Sequence, residues 1–353
     1  MEVWEVLVVI VLLSVGAFSL ELATYSTNTT LHSVVMIRKL HMVYVGGNNA
    51  LIQLDTDLRH VSTLKMGPFP YSPTCGPSDT CSGGTLEDNE FKILEAIQGK
   101  NYLLACGTSH QGTCTLHTFS NITNYVHVGG DTKGHFVGSR KSSIVHYLPL
   151  GQTDCLYVFQ EYDGRDLAFS PQVMSLRVLS TENTPYTMKL LRNTTSSSEF
   201  SALDIWSDYK QKYFMQFVHS FEYNKQLYVV MNQQKNISPQ DSIRIKIGRL
   251  CLGPDQDVLL QSYVELELEC KKGDTLYNYA SSASMMHDTL FISASRLQGS
   301  SAKEVDQAAG SFAGLPTYHA YTSVNVRCCG FIWINVLCST LLTLFHYILS
   351  YVG

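Results

Sequence analysis

Ten cysteines are the side chains of this 353-residue chain best placed to do chemistry, as bridges, metal ligands or nucleophiles, and their spacing sorts them. Cys106 and Cys114 bracket a Gly-containing loop that follows the apolar run Tyr102, Leu103, Leu104, Ala105. Strand, loop and returning strand would bring the two sulfurs within disulfide reach, with a pair of buried free thiols as the alternative. Cys75 and Cys81 lie in PYSPTCGPSDTCSGG, a stretch so dense in Pro, Gly, Ser and Thr that it must be a loop. A bridge there would limit the freedom of the unfolded chain. A C-x5-C pair with no second pair or histidines nearby is a poor zinc site, so no metal is expected. Cys155 has no evident partner and reads as a buried free thiol.

Nothing else in the chain assembles into catalytic machinery. There is no G-x-S-x-G elbow, no H-E-x-x-H, no Walker loop and no G-x-G-x-x-G, so an enzyme and a bound cofactor are both unsupported. Ser207-Asp208-Tyr209-Lys210 fits S-x-x-K, a pattern loose enough to arise by chance. The 12 histidines are scattered singly and read as surface or satisfied core residues. A net charge of −5 and the absence of any Lys/Arg run exclude nucleic acid as a partner.

The elements that would position the cysteines are strands. With 45% hydrophobic and only 16% charged residues, the chain can bury a large core. Residues 1–19 hold an apolar stretch at 6–15 and the small-x-small tract Ala17-Phe18-Ser19, the pattern of a signal peptide, although Glu2 and Glu5 replace the usual basic residues. A membrane-anchoring helix is the alternative; either one directs the chain into the oxidising pathway. Four sequons, at Asn28, Asn121, Asn193 and Asn236, are compatible with glycosylation there, though chance alone would supply roughly three. Beyond residue 20 the chain shows strand runs separated by turn clusters and almost no helical period. Apolar runs begin near Met42, Tyr102, Cys155, Gln226 and Thr289, at intervals of 53 to 71 residues. An all-β chain with that period suggests β-propeller blades, with a β-sandwich array as the alternative.

The tract around Cys106, apolar-apolar-x-C-G-T-x-x-Q-G-x-C, resembles the second blade of plexin sema domains. Semaphorins are less similar, lacking the Gln-Gly before the second cysteine. Further segments are similar in order: VYVGGNNALIQLDTDL at 43–58, GPFPYSPTC at 67–75, SPQVMSLRVLS at 170–180, YFMQFVHSFEYNKQLYVVMNQQ at 213–234 and KIGRLCLGPDQDVLLQSYVELELEC at 246–270. The resemblance covers residues 31–297 and implies a sema-type β-propeller. It implies, further, disulfides at Cys251 and Cys270 to cysteines downstream, and a cell-surface or secreted, non-catalytic recognition module of cell–cell signalling. A semaphorin or another sema-domain protein would be its partner.

Residues 20–297 hold material for about four of the seven blades of such a domain. A strand within 31–40 would then lack the last blade that it completes in the family, and open sheet edges would favour homo-oligomers. Residues 298–329, rich in Ala, Gly and Ser, read as a linker. Residues 330–353 carry no formal charge and are long enough for an apolar membrane-spanning helix. A GPI signal or a non-native tail are the alternatives, the last making the chain a truncated or decoy sema-domain protein without signalling output. The expected location is extracellular or at the plasma membrane.

Overall fold

The computed structural model describes residues 23–74, 83–129, 140–151, 153–167, 172–181, 186–191, 201–236, 242–252, 262–272, 274–286, 289–297, 323–328 and 332–338. They are overwhelmingly strands. The first sheet is β1 (Leu31–Ile37), β2 (Met42–Gly47), β3 (Ala50–Asp55) and β4 (His60–Lys65); a hairpin of β5 (Phe69–Tyr71) and β6 (Thr85–Glu87) follows. The second is β7 (Ile93–Ile97), β8 (Tyr102–Cys106), β9 (Cys114–Thr118) and β10 (Asn121–Val128). The third is β11 (Ser143–Leu150), β12 (Thr153–Gln160), β13 (Met174–Ser180) and β14 (Thr187–Leu190), with the short β15 (Ala202–Leu203) also on β13. The fourth is β16 (Met215–Tyr223), β17 (Gln226–Gln234), β18 (Ile243–Cys251) and β19 (Val264–Leu268). Each of these four sheets is an antiparallel meander of sequence neighbours, the form of a propeller blade.

Each apolar run picked out by the period is the second strand of a sheet: β2, β8, β12, β17 and, in a fifth sheet, β23 (Thr289–Ser295). An inner strand is covered on both faces, so β17 is buried at eight of its nine positions and reads as continuously apolar. The last strand of a sheet is covered on one face at most, as in β4 and β19, and carries mixed polar and apolar residues.

The chain divides into two compact units: Thr27–Gln211 with Cys251–Ser262, and Lys212–Leu250 with the described residues from Tyr263 onward. In the first, one apolar layer gathers Tyr44 and Leu51 of the first sheet with Leu103, Phe119 and Ile122 of the second. Another gathers Leu104, Cys106 and Leu116 of the second with Leu156, Val158 and Leu179 of the third. In the second unit, Tyr228, Val230 and Ile247 of the fourth sheet pack with Ala283, Leu290 and Ile292 of the fifth.

Three expectations are corrected. The strand at 31–37 is not left over: it pairs antiparallel with β2 along its length, through a tight connection in which His41 takes a left-handed conformation at φ 52°. Closing a hairpin onto the next strand in sequence costs far less entropy than reaching a distant blade. Residues 323–328, placed in the linker by composition, form strand β24. Residues 332–338, placed in an apolar helix, form strand β25, which pairs with β24 and runs parallel to β23. The segment IWINVLC is rich in β-branched and aromatic residues, and the free edge of a hairpin, β22 (Tyr279–Met286) with β23, offers it a ladder. No helix among the described residues is long and apolar enough to cross a membrane; residues 339–353 and residues 1–19, where a signal peptide is expected, lie outside them.

Candidate functional site

The strongest local construction surrounds the loop between β8 and β9. Cys106 and Cys114 stand directly opposite one another in the ladder, both buried, and are joined by a disulfide. The loop they close turns through three consecutive left-handed residues, His110 (φ 48°), Gln111 (φ 65°) and Gly112 (φ 97°). Two of these are not glycine, a costly conformation that persists only where the surroundings impose it.

Those surroundings are explicit. Gln111 is buried; its Nε2 donates to the Ser72 carbonyl at 2.9 Å, and its own carbonyl accepts from the Arg165 guanidinium. Arg165 is itself buried and forks onto Asp163, Nε to Oδ1 at 2.8 Å and Nη2 to Oδ2 at 2.5 Å. Burial would raise the Asp163 pKa, but hydrogen bonds and charge from Arg165 outweigh it and hold the carboxyl below its ordinary value. The backbone N–H of Arg140 also donates to Asp163 at 3.0 Å, while its guanidinium pairs with Glu87 and lies 3.6 Å over the Tyr71 ring. The blade-two loop, the β5–β6 hairpin and the segment after β12 are thus tied into one knot. The Gln-Gly of the motif supplies its centre.

A second junction binds the first two sheets. Asn49, left-handed at φ 58°, exchanges backbone and side-chain hydrogen bonds with Asn89 (Asn49 N to Asn89 O, 2.7 Å; Asn89 N to Asn49 Oδ1, 2.8 Å), and its amide donates to Asp88 at 2.6 Å. Gly46 has no room for a side chain, since a Cβ would come within 2.7 Å of Phe91 Cβ. Gly107 is equally confined: a Cβ there would fall 2.0 Å from Asn89 Oδ1. The Gly-Gly-Asn-Asn and Cys-Gly tracts are therefore the two sides of one contact.

Beside this junction opens a recess of about 440 Å³ whose wall includes Lys65, Phe69, Ser109, His110, Tyr125 and His127. The His110 and Phe69 rings lie 4.9 Å apart. Tyr125 stacks on His117 at 5.2 Å and meets the His127 ring edge-on at 5.6 Å. His117 is buried between Ile122 O, 2.6 Å from Nδ1, and Thr115 Oγ1, 2.8 Å from Nε2. A carbonyl can only accept, so Nδ1 carries the proton. Burial, opposed by the Ile122 hydrogen bond and aided by His127, pushes the His117 pKa down to about 4 and keeps the ring neutral.

Of the sequence-predicted residues, Cys106 and Cys114 are bridged as expected. Cys270 is buried and also in a disulfide. Cys251 is a correction: the bridge implied by resemblance is not made, and its thiol is free and exposed at the end of β18. A strand terminus leaves that side chain in solvent, with no cysteine among the described residues brought to it. Cys155 is a buried thiol whose pKa burial and Asp154 push up to about 11. Cys75, Cys81 and Asn193 lie outside the described residues, whereas Asn28, Asn121 and Asn236 are exposed. Ser207 is exposed and Lys210 is held by Asp204 at 2.9 Å. No cluster of metal-ligating side chains occurs among the described residues. The Gln111–Arg165 knot and the recess escape sequence reading because they join segments tens of residues apart with no shared period.

No protein-family model matches the chain. Among solved structures it is similar to the plexin A4 full extracellular region in two crystal forms. Each match has TM-score 0.59 and 22% identity over 72% of this chain, covering 29% and 23% of the respective plexin chains. Drosophila semaphorin 2a is more distant, with TM-score 0.49 and 15% identity over 88% of this chain and 52% of that one. The chain thus spans less than a third of the plexin chains that it matches. Its fold is that of a plexin-like sema domain, built of β-propeller blades.

Proposed function

We propose that this chain is a non-catalytic recognition module of the extracellular space or plasma membrane, and that it binds a semaphorin or another sema-domain protein in cell–cell signalling. The observation that carries this reading is the fold match to the extracellular region of plexin A4 over 72% of the chain. Blade edges and the loops between strands supply the contact surface, and exposed side chains such as Trp206, at 81%, are available to it. A signal peptide at 1–19, glycans at the sequons and a second bridge at Cys75–Cys81 belong to the same reading. Recognition without turnover needs only a complementary surface. A second reading is that the chain captures the same partner as a decoy without signalling output.

The experiment is surface-plasmon binding of the purified full chain to a panel of semaphorin ectodomains, with a plexin A4 ectodomain as positive control. Saturable binding of one or more semaphorins is expected. Binding by the control alone, across the whole panel, would remove the proposal. Receptor and decoy then separate in cells: a receptor produces a morphological response to the bound semaphorin, whereas a decoy suppresses the response of a co-expressed plexin.

A further inference from the structure

In the first unit, seven basic side chains are matched with carboxylates: Arg59 with Asp57, Lys92 with Glu90, Lys100 with Asp154, Arg140 with Glu87, Lys141 with Glu161, Arg165 with Asp163 and Lys210 with Asp204. The recess beside the Asn49–Asn89 junction gathers basic groups without such a match. Lys65 from the end of β4, His110 from the left-handed loop and His127 from β10 all line it, and no Asp or Glu does. Among the described residues, none of the three has a hydrogen-bond or ion-pair partner. The carboxylates flanking Asn89 in sequence are engaged elsewhere, Asp88 by the Asn48 and Asn49 amides and Glu90 by Lys92. The hydroxyls of Ser109 and Tyr125 stand at the same wall, also without a partner among the described residues. Burial and, to a lesser extent, the nearby His127 hold the His110 pKa below its ordinary 6.5.

From this geometry we propose that the recess is an anion-binding site for a small phosphate or sulfate ester. Lys65, His110 and His127 would hold the oxyanion, Ser109 and Tyr125 would add hydroxyl hydrogen bonds, and Phe69 would cover the ring that carries the ester. Its volume of about 440 Å³ suits a single sugar-sized ligand. Charge-assisted hydrogen bonds of this kind are roughly twice as strong as neutral ones.

Calorimetry of the purified full chain against glucose 6-sulfate, glucose 6-phosphate, inorganic sulfate, inorganic phosphate and unmodified glucose tests it. One of the two esters should bind with 1:1 stoichiometry, more tightly at pH 5.5 than at pH 7.5 because a protonated His110 is the better anion partner, and glucose should not bind. The stronger of the two esters identifies the source. Lys65→Met keeps the aliphatic stem, and His110→Asn tolerates the left-handed backbone while deleting the imidazole; each should weaken binding about tenfold. Lys92→Met, paired outside the recess, should leave it unchanged. Circular dichroism and melting of each variant distinguish loss of site from loss of fold. Absence of saturable heat for every anion at pH 5.5, or affinity unchanged in both Lys65→Met and His110→Asn, overturns the site. Semaphorin binding measured on the same samples stands or falls separately.

Discussion

Blade two and blade four solve one problem by different means. In blade two, strands β7, β8 and β9 are five residues each, and the blade is held by a disulfide across β8 and β9 and by the Gln111–Arg165 and Asn49–Asn89 junctions at its loops. In blade four, β16, β17 and β18 are nine residues each, and no bridge crosses its described ladders. There the long strands bury Tyr228, Val229, Val230 and Met231 almost completely, and Asn232 latches onto β22 through Ala280 (Nδ2 to O, 2.8 Å; N to Oδ1, 2.7 Å). Hydrophobic stabilisation scales with the area buried, so a short-stranded blade needs cross-links from its loops and a long-stranded one does not.

The largest effect should therefore come from hollowing blade four. Tyr228 is 1% exposed and stacks on Phe221 at 5.3 Å, so Tyr228→Ala should cost about 3–5 kcal/mol, read as a fall in the denaturation midpoint. A loss under about 1 kcal/mol would mean that apolar burial is not what holds this blade. Next comes Cys106→Ala in blade two. A bridge closing a loop of this size contributes about 2–3 kcal/mol, and Cys114 would remain as a small apolar side chain within the same core layer. Cys106→Ala should likewise accelerate amide exchange in β8 and β9 and leave β17 protected. Equal acceleration in β17 would erase the distinction between the blades.

The sequence shows the inner strands and little else. Residues 226–234 and 102–106 advertise themselves because both faces of an inner strand are covered, which forces a continuous apolar run. The outer strand β19, by contrast, alternates Val264 and Leu266 with Glu265 and Glu267, all exposed, and so offers no continuous apolar run. Cys106 and Cys114 were legible because both partners sit in one hairpin. Arg165 and Gln111 were not, since their contact spans 54 positions and arises only when two blades come together. The recess has the same origin: Lys65, His110 and His127 come from three segments, and single histidines carry no spacing signal.

A smaller effect separates the blades by pH. Glu95, in β7, is pushed up to about 7 from its ordinary 4.5 by burial, which the backbone hydrogen bond from Tyr147 offsets only in part. The folded state then binds this proton more tightly than the unfolded chain. Its stabilising contribution is full below about pH 4.5, declines as pH rises toward 7 and changes no further above that. Glu95→Gln should flatten this part of the stability–pH curve and leave the variant more stable than the wild type at pH 7.5. An unaltered curve would show that the carboxyl is solvated.

The smallest expected effect is at the sequons. Asn121 begins β10 and is exposed, with its Oδ1 accepting from the Thr123 N–H at 3.0 Å and hydroxyl at 2.7 Å, while Ile122 between them is fully buried. Asn236 is exposed just beyond β17. Both amides face solvent, so a glycan at either position displaces no packed side chain. Asn121→Gln gives up only an exposed Asx turn, and surface changes of that kind stay within about 0.5 kcal/mol, or about 1 °C in a chain of this size. In a secretory host, Asn121→Gln and Asn236→Gln should each remove one glycan on a glycosidase-controlled gel and leave both midpoints where they were. Loss of midpoint in Asn121→Gln alone would mean that the short-stranded blade draws on its glycan as well as its disulfide. Retention of the wild-type gel pattern would show that the site is unmodified.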